Sequence, residues 1–166
     1  MKKIAIVIQY DGSAYSGWQN QKNLTTVQGT LEKKIAELDP IRPVKLIAAG
    51  RTDAGVHASG QIAHFNCSGP IPINKWTSAL NGRLPSSIKV LEAVQVPNDW
   101  HACYSATYRR YRYSIFNGCY PNLFLQNLSW HKYRFRLDVN LMREALNDLL
   151  GLHDFGAFQK TGSKRA

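Results

Sequence analysis

The chain has 166 residues, 44% of them apolar and 19% charged, with a formal net charge of +10. That length supports a buried core without disulfide or metal staples, and the composition is that of a folded globular protein, which excludes a disordered chain. So large a positive surplus favours a polyanionic partner, because neutralising phosphates releases condensed counterions. Residues 101–166 hold ten basic and four acidic side chains against eleven and seven in residues 1–100, so the later part is the more basic per residue. The bland alternative is a basic, solvated surface. Cys67, Cys103 and Cys119 are an odd number at wide spacing, without a Cys-x-x-Cys pair. They fit neither a disulfide framework nor a tetrahedral zinc site. The apolar run from Ile4 to Ile8 stops at Gln9 and Asp11, too short for a signal-peptide core, and no segment reaches the roughly 18 apolar residues of a membrane span. The protein reads as cytoplasmic.

In chain order, Ile4 to Tyr10 is a β-rich run closed by the turn residues Asp11-Gly12-Ser13. Val27, Leu31, Ile35 and Leu38 recur at helical spacing. Thr25 with Gln28 fits a capping box at the front of that helix, and Pro40 and Pro43 close it off. Val44 to Ala49 predicts a second strand, and Gln61 to Cys67 alternates like a third. A short helix is expected from about Asn74 to Asn81. Ile88 to Val96 predicts a fourth strand with Ile88, Val90, Val94 and Val96 on one face. The sum is an α+β chain whose first unit is β-α-β-β-α-β, the split arrangement of ferredoxin-like domains, with a mainly antiparallel sheet.

A second unit is expected after Pro97, giving domains 1–100 and 101–166. Ala106 to Phe116 predicts a long strand in which Arg109, Tyr111, Tyr113 and Ile115 share a face. A loop rich in aromatic and basic residues follows, from Tyr120 to Arg136. Leu141, Met142, Ala145, Leu146 and Leu149 then mark an amphipathic helix capped by Asp138 and stopped at Gly151. One strand and one helix cannot bury themselves, so this unit reads as the start of a second α+β domain. Either it packs on the first unit or the chain stops short of its natural end.

Chemistry concentrates in Gly50-Arg51-Thr52-Asp53-Ala54-Gly55-Val56-His57. The two glycines permit sharp turning and close approach to a ligand. Arg51 and Asp53 stand two residues apart, on one side of an extended chain, where a guanidinium would favour an ionised carboxylate usable as nucleophile or base. Alternatively Asp53 caps a turn and Arg51 pairs with it as scaffolding. His57 lacks the Ser or Cys elbow of a hydrolase triad, and the loop lacks the Lys-Ser/Thr of a P-loop. His64, His101, His131 and His153 show no metal-ligand spacing. In Tyr108-Arg109-Arg110-Tyr111-Arg112-Tyr113, rings interleave with arginines. That pattern suits stacking on unpaired bases with phosphates held alongside; it also suits a strand with tyrosines inward and arginines in solvent. Asp11-Gly12 with Gly17-Trp18-Gln19 is either a binding loop or a tight turn.

Together, Tyr10-Asp11-Gly12, Gly17-Trp18-Gln19, the full Gly50–His57 octapeptide, Arg110-Tyr111-Arg112-Tyr113 and Leu150-Gly151-x-His153-Asp154-Phe155 resemble the tRNA pseudouridine synthase A family, in its order and about its spacing. The resemblance implies the pseudouridine synthase fold and an isomerase of tRNA processing. Such an enzyme converts uridine to pseudouridine in the anticodon stem-loop, at tRNA positions 38–40 in the family, with no cofactor and no metal. Asp53 is then the nucleophile, attacking either base or ribose. Arg51 helps extrude the uridine and afterwards pairs with Asp53, while Tyr111 stacks on the target base. A homodimer in which one tRNA touches both subunits is implied. Family chains continue to further strands with an apolar-Met-Val-Arg motif that is not found in these residues. The resemblance therefore also implies a C-terminally truncated chain, whose alternative role is a weakly active or inactive tRNA-binding fragment.

Overall fold

The computed structural model describes residues 1–41 and 43–158; the basic run Lys160–Ala166 lies outside them. The chain divides into two compact units, Met1–Tyr111 and Arg112 onward. Residues 101–111, read above as the opening of a second domain, fall in the first of these.

The first unit runs β1 (Lys2–Tyr10), α1 (Val27–Leu38), β2 (Ile47–Ala48), β3 (Ala58–Cys67), α2 (Trp76–Asn81) and β4 (Ile88–Val96). Its sheet has the order β2-β3-β1-β4, with every neighbouring pair antiparallel. This is the split βαββαβ sheet expected from the pattern. Alternation along β1 sends Ile4, Ile6, Ile8 and Tyr10 to the helix-covered face, where all four are buried. They meet Val27, Leu31 and Ile35 from α1, Trp76 and Leu80 from α2, and Phe65 from β3 in one apolar cluster. Phe65 and Trp76 cross edge to face with ring centres 5.2 Å apart. Each such side chain contributes roughly 1.5–3 kcal/mol on full burial.

Three local expectations shift. The cap of α1 is Thr26, whose side chain accepts from Gly29 N at 3.2 Å, and not Thr25. Gln28 is therefore one position too early to close a capping box. It ties the helix elsewhere, donating to Leu46 O at 3.1 Å and accepting from Asn20 N at 3.0 Å. The second strand shrinks from Val44–Ala49 to Ile47–Ala48. In β4, the register against β1 slips between Val7 and Ile8, where Val7 faces Glu92 but Ile8 faces Val90. The extra residue, Leu91, is a bulge, and a one-residue slip exchanges the two faces of a strand. Ile88 and Val90 are buried as predicted. Beyond the bulge Ala93 packs on the core, and Val94 is 41% exposed.

The helix end and the strand end are joined by Asp39. Its carboxylate accepts from Ser68 N at 2.6 Å and Gly69 N at 3.1 Å. Burial would raise its pKa, but these donors and the Cys67 thiol outweigh burial and hold it below the usual carboxylate value. Cys67 is pushed up to about 11 by burial and by that same carboxylate. On the opposite face of the sheet, His64 is covered by residues 98–102. Its Nδ1 accepts from Ala102 N at 3.2 Å, and the rings of Trp100 and His101 lie 5.7 Å and 5.0 Å away. Lys3 clamps the same segment by donating to the carbonyls of Asn98 and Trp100.

In the second unit β5 (Ile115–Phe116) and β6 (Trp130–His131) form a short parallel pair. The long strand expected from Ala106 is confined to Ile115–Phe116; residues 106–113 have no ladder partner among the described residues, and a strand without a partner leaves its backbone groups unpaired. Helix α3 (Val139–Asn147) forms where its periodicity places it. Asp138 caps it by accepting from Asn140 N at 2.8 Å and Leu141 N at 3.1 Å. Gly151, just beyond, has a left-handed φ of 95°. Among the described residues no helix is long and apolar enough to cross a membrane.

Candidate active site

The loop between β2 and β3 carries the Gly50–His57 octapeptide, and its backbone is fastened at nearly every step. Ala49 N donates to Ile62 O at 2.8 Å, and Gln61 Nε2 donates to Gly50 O at 2.7 Å. Trp18 N donates to Thr52 O at 2.9 Å, while Thr52 Oγ1 lies 2.7 Å from Tyr10 Oη. Gly55 N donates to Tyr15 O at 3.2 Å. At the far end His57 Nδ1 sits 3.1 Å from Asp11 Oδ1 and accepts from Gly12 N at 3.3 Å. Burial raises the pKa of Tyr10, against hydrogen bonds from Thr52 and Gln61, and neighbouring Tyr111 adds to the rise.

These contacts decide what the Tyr10-Asp11-Gly12 and Gly17-Trp18-Gln19 segments do. They are a cradle under the Asp53 loop. A Cβ on Gly12 would fall 2.0 Å from Val56 O, and one on Gly17, which also has φ 89°, would fall 2.7 Å from Thr52 O. Only glycine permits so close an approach of two backbones. The sequence left these glycines open between binding loop and turn. The cradle explains both, and the i-to-i+40 spacing between partners is why local reading could not show it.

Asp53 and Arg51 are both exposed on this loop. Among the described residues the carboxylate contacts with basic side chains are Lys34–Glu37 and the approach of His57 to Asp11, so Arg51 and Asp53 are not paired to each other. Tyr111 does reach the loop: its hydroxyl lies 3.7 Å from where a Cβ on Gly50 would stand, beside Arg109 Nε at 3.5 Å. Gly50 thus has no steric demand for glycine, unlike Gly55 with its φ of 78°. Arg109 donates from Nε and Nη2 to Ala49 O at 2.9 Å and 2.6 Å, and from Nη2 to Cys103 O at 3.2 Å. A charge-assisted hydrogen bond of this kind contributes about 1.5–3 kcal/mol. The sequence grouped Arg109 with Tyr111 by strand parity, and the only hint of its bracing role was that shared side. No group of three or more metal-ligating side chains occurs among the described residues.

What the arrangement offers is a solvent-facing carboxylate on a backbone that cannot easily move, an unpaired guanidinium two residues away, and a phenol ring at the loop's edge. The sequence profile of the tRNA pseudouridine synthase family matches residues 6–105, which hold nearly all of this sheet and the whole loop, and the chain belongs to that family. Among curated relatives it is 64% identical over 166 residues to a tRNA pseudouridine synthase A of Synechococcus sp. (strain CC9605), covering 100% of this chain and 57% of the relative. It is 60% identical over 164 residues to one of Prochlorococcus marinus (strain MIT 9211), covering 99% and 57%. A third, from Parasynechococcus marenigrum (strain WH8102), is 61% identical over 165 residues, covering 99% and 55%. The chain therefore spans a little over half the length of these relatives.

Proposed function

We propose that this chain carries the nucleophile of an isomerase that converts uridine to pseudouridine in the anticodon stem-loop of tRNA. The observation that carries the reading is the exposed Asp53 on a loop braced along its length, with Tyr111 at its edge. A reacting group must hold its position to within about 1 Å, since a misplacement of that size can cost on the order of 100-fold in rate.

Uridine and pseudouridine are isomers. The bond from base nitrogen to ribose breaks, the base turns, and a carbon-to-ribose bond forms. That carbon gives up a proton and the freed nitrogen gains one, with no net oxidation. Asp53 supplies the electron pair, adding to either base or ribose to hold the detached intermediate. The target must first leave the stack, which costs a few kcal/mol. Arg51 takes part in that extrusion and then meets Asp53, and stacking on Tyr111, about 1–3 kcal/mol, offsets much of the cost. The net charge of +10 suits the tRNA backbone. A homodimer working in the cytoplasm without metal or cofactor completes the proposal.

A second reading, tRNA binding without turnover, is favoured by one feature. Tyr111 is 74% exposed, and chemistry at a glycosidic bond gains from exclusion of water. Incubation with tRNA lacking pseudouridine, followed by mapping of the modified positions, separates the two. Product from the wild type and a loss on the order of 10⁴-fold in Asp53→Asn, with tRNA binding kept, support the isomerase. Tyr111→Phe should stay within tenfold of wild type, because stacking needs the ring, whereas Tyr111→Ala should lose most activity. Salt-sensitive binding without product from the wild type would select the second reading, and full activity in Asp53→Asn would remove the nucleophile.

A further inference from the structure

We infer that Arg109 is a positioning residue for this reaction, holding the Asp53 loop in register with Tyr111 through the carbonyl of Ala49, and that it is not a phosphate ligand. The inference rests on the isomerase reading and deepens it. Its basis is where the guanidinium places its donors. The basic, aromatic stretch around Arg109 suggests a side chain offered to RNA, yet Nε and Nη2 converge on Ala49 O at 2.9 Å and 2.6 Å, and Nη2 also reaches Cys103 O at 3.2 Å.

Ala49 is the point at which the loop leaves the sheet. Strand β2 is only Ile47–Ala48, and the amide of Ala49 makes the last backbone-to-backbone bond to β3, at Ile62 O. Its carbonyl accepts from Arg109 Nε and Nη2 together, and a planar fork of donors captures it as a single ammonium cannot. The next residue, Gly50, then lies against both Arg109 Nε and the Tyr111 hydroxyl. Arg109 and Tyr111 are two apart, the spacing that puts side chains on one side of an extended chain. One guanidinium thus links the segment bearing the stacking ring to the segment bearing the nucleophile. With Arg109 gone, Gln61 still holds Gly50 O and the cradle still holds Thr52. The core is untouched, but the two catalytic segments lose their direct tie.

The test compares wild type, Arg109→Ala, Arg109→Lys and Asp53→Asn in three measurements. These are the single-turnover rate of pseudouridine formation at saturating protein, tRNA affinity as a function of salt, and backbone hydrogen exchange over residues 50–57. The expected result is a 10- to 100-fold slower single turnover in both Arg109 variants. Affinity should change less than threefold, the salt slope should be unchanged, and exchange should be faster over residues 50–57. Arg109→Lys keeps the charge and loses only the fork, so it carries the test even if Arg109→Ala fails to fold. Asp53→Asn should abolish turnover and leave exchange at the wild-type level. A wild-type rate in Arg109→Lys, or unchanged exchange in both variants, overturns the inference. So does a salt slope reduced by about one with the rate intact, which would make Arg109 a phosphate contact. If the wild type forms no product, the isomerase reading fails by itself, and hydrogen exchange still decides whether Arg109 braces the loop.

Discussion

The two units of this chain reach regular structure by different amounts of cooperation. In residues 1–111, two helices cover one face of a four-stranded sheet, and side chains such as Trp76, Phe65, Ile6 and Leu31 are essentially removed from water. Among the described residues from 112 onward none is buried. The apolar stripe of α3 shows it: Leu141 is 63% and Leu146 56% exposed. Yet α3 begins at a well-formed cap and ends before a left-handed glycine, as a core helix does. Helix formation and capping answer to residues within a turn of each other; burial needs a matching surface supplied from far along the chain. An amphipathic pattern specifies which face seeks cover and does not provide it.

That contrast can be put to measurement. The largest effect belongs to the core: Trp76→Ala should lower unfolding free energy by about 3–5 kcal/mol, while Leu146→Ala in α3 should change it by less than about 0.5 kcal/mol, both read by urea titration. Equal losses would dissolve the distinction between the units.

Next comes pH. Burial, with help from His101 and Lys3, lowers the His64 pKa from its ordinary value to about 4, in keeping with an Nδ1 that accepts from a backbone amide. The unfolded chain binds the proton more readily, so the stabilisation is complete above the unfolded pKa near 6.5. It is lost as pH falls toward 4, at up to about 1.4 kcal/mol per pH unit. Stability measured across that window should fall in the wild type and flatten in His64→Gln. Asp39, whose pKa is also lowered, adds its own loss only below the usual carboxylate range.

The smallest effect is local. Asp138→Ala removes the cap of α3 and should cost that helix about 1 kcal/mol, visible as reduced helical circular dichroism with little change in the main unfolding transition.

The sequence by itself determined the order of strands and helices in the first unit, the identity of the Gly50–His57 loop and the basic character of the chain. Those are properties of neighbouring residues: alternation, helical spacing, turn chemistry and charge. Tertiary structure decided the rest. The bulge at Leu91 exchanged the faces of β4 because register is a property of two strands, and Val94 lost its expected place to Ala93. Tyr10, Gly12, Gly17 and Trp18 became a cradle because backbones some 40 residues apart meet there. Arg109, in a segment that periodicity marks as strand, turns its fork on Ala49, and residues 106–113 have no strand neighbour among the described residues. What is local in energy was legible in the residues, and what depends on close approach between distant segments appeared only when they met.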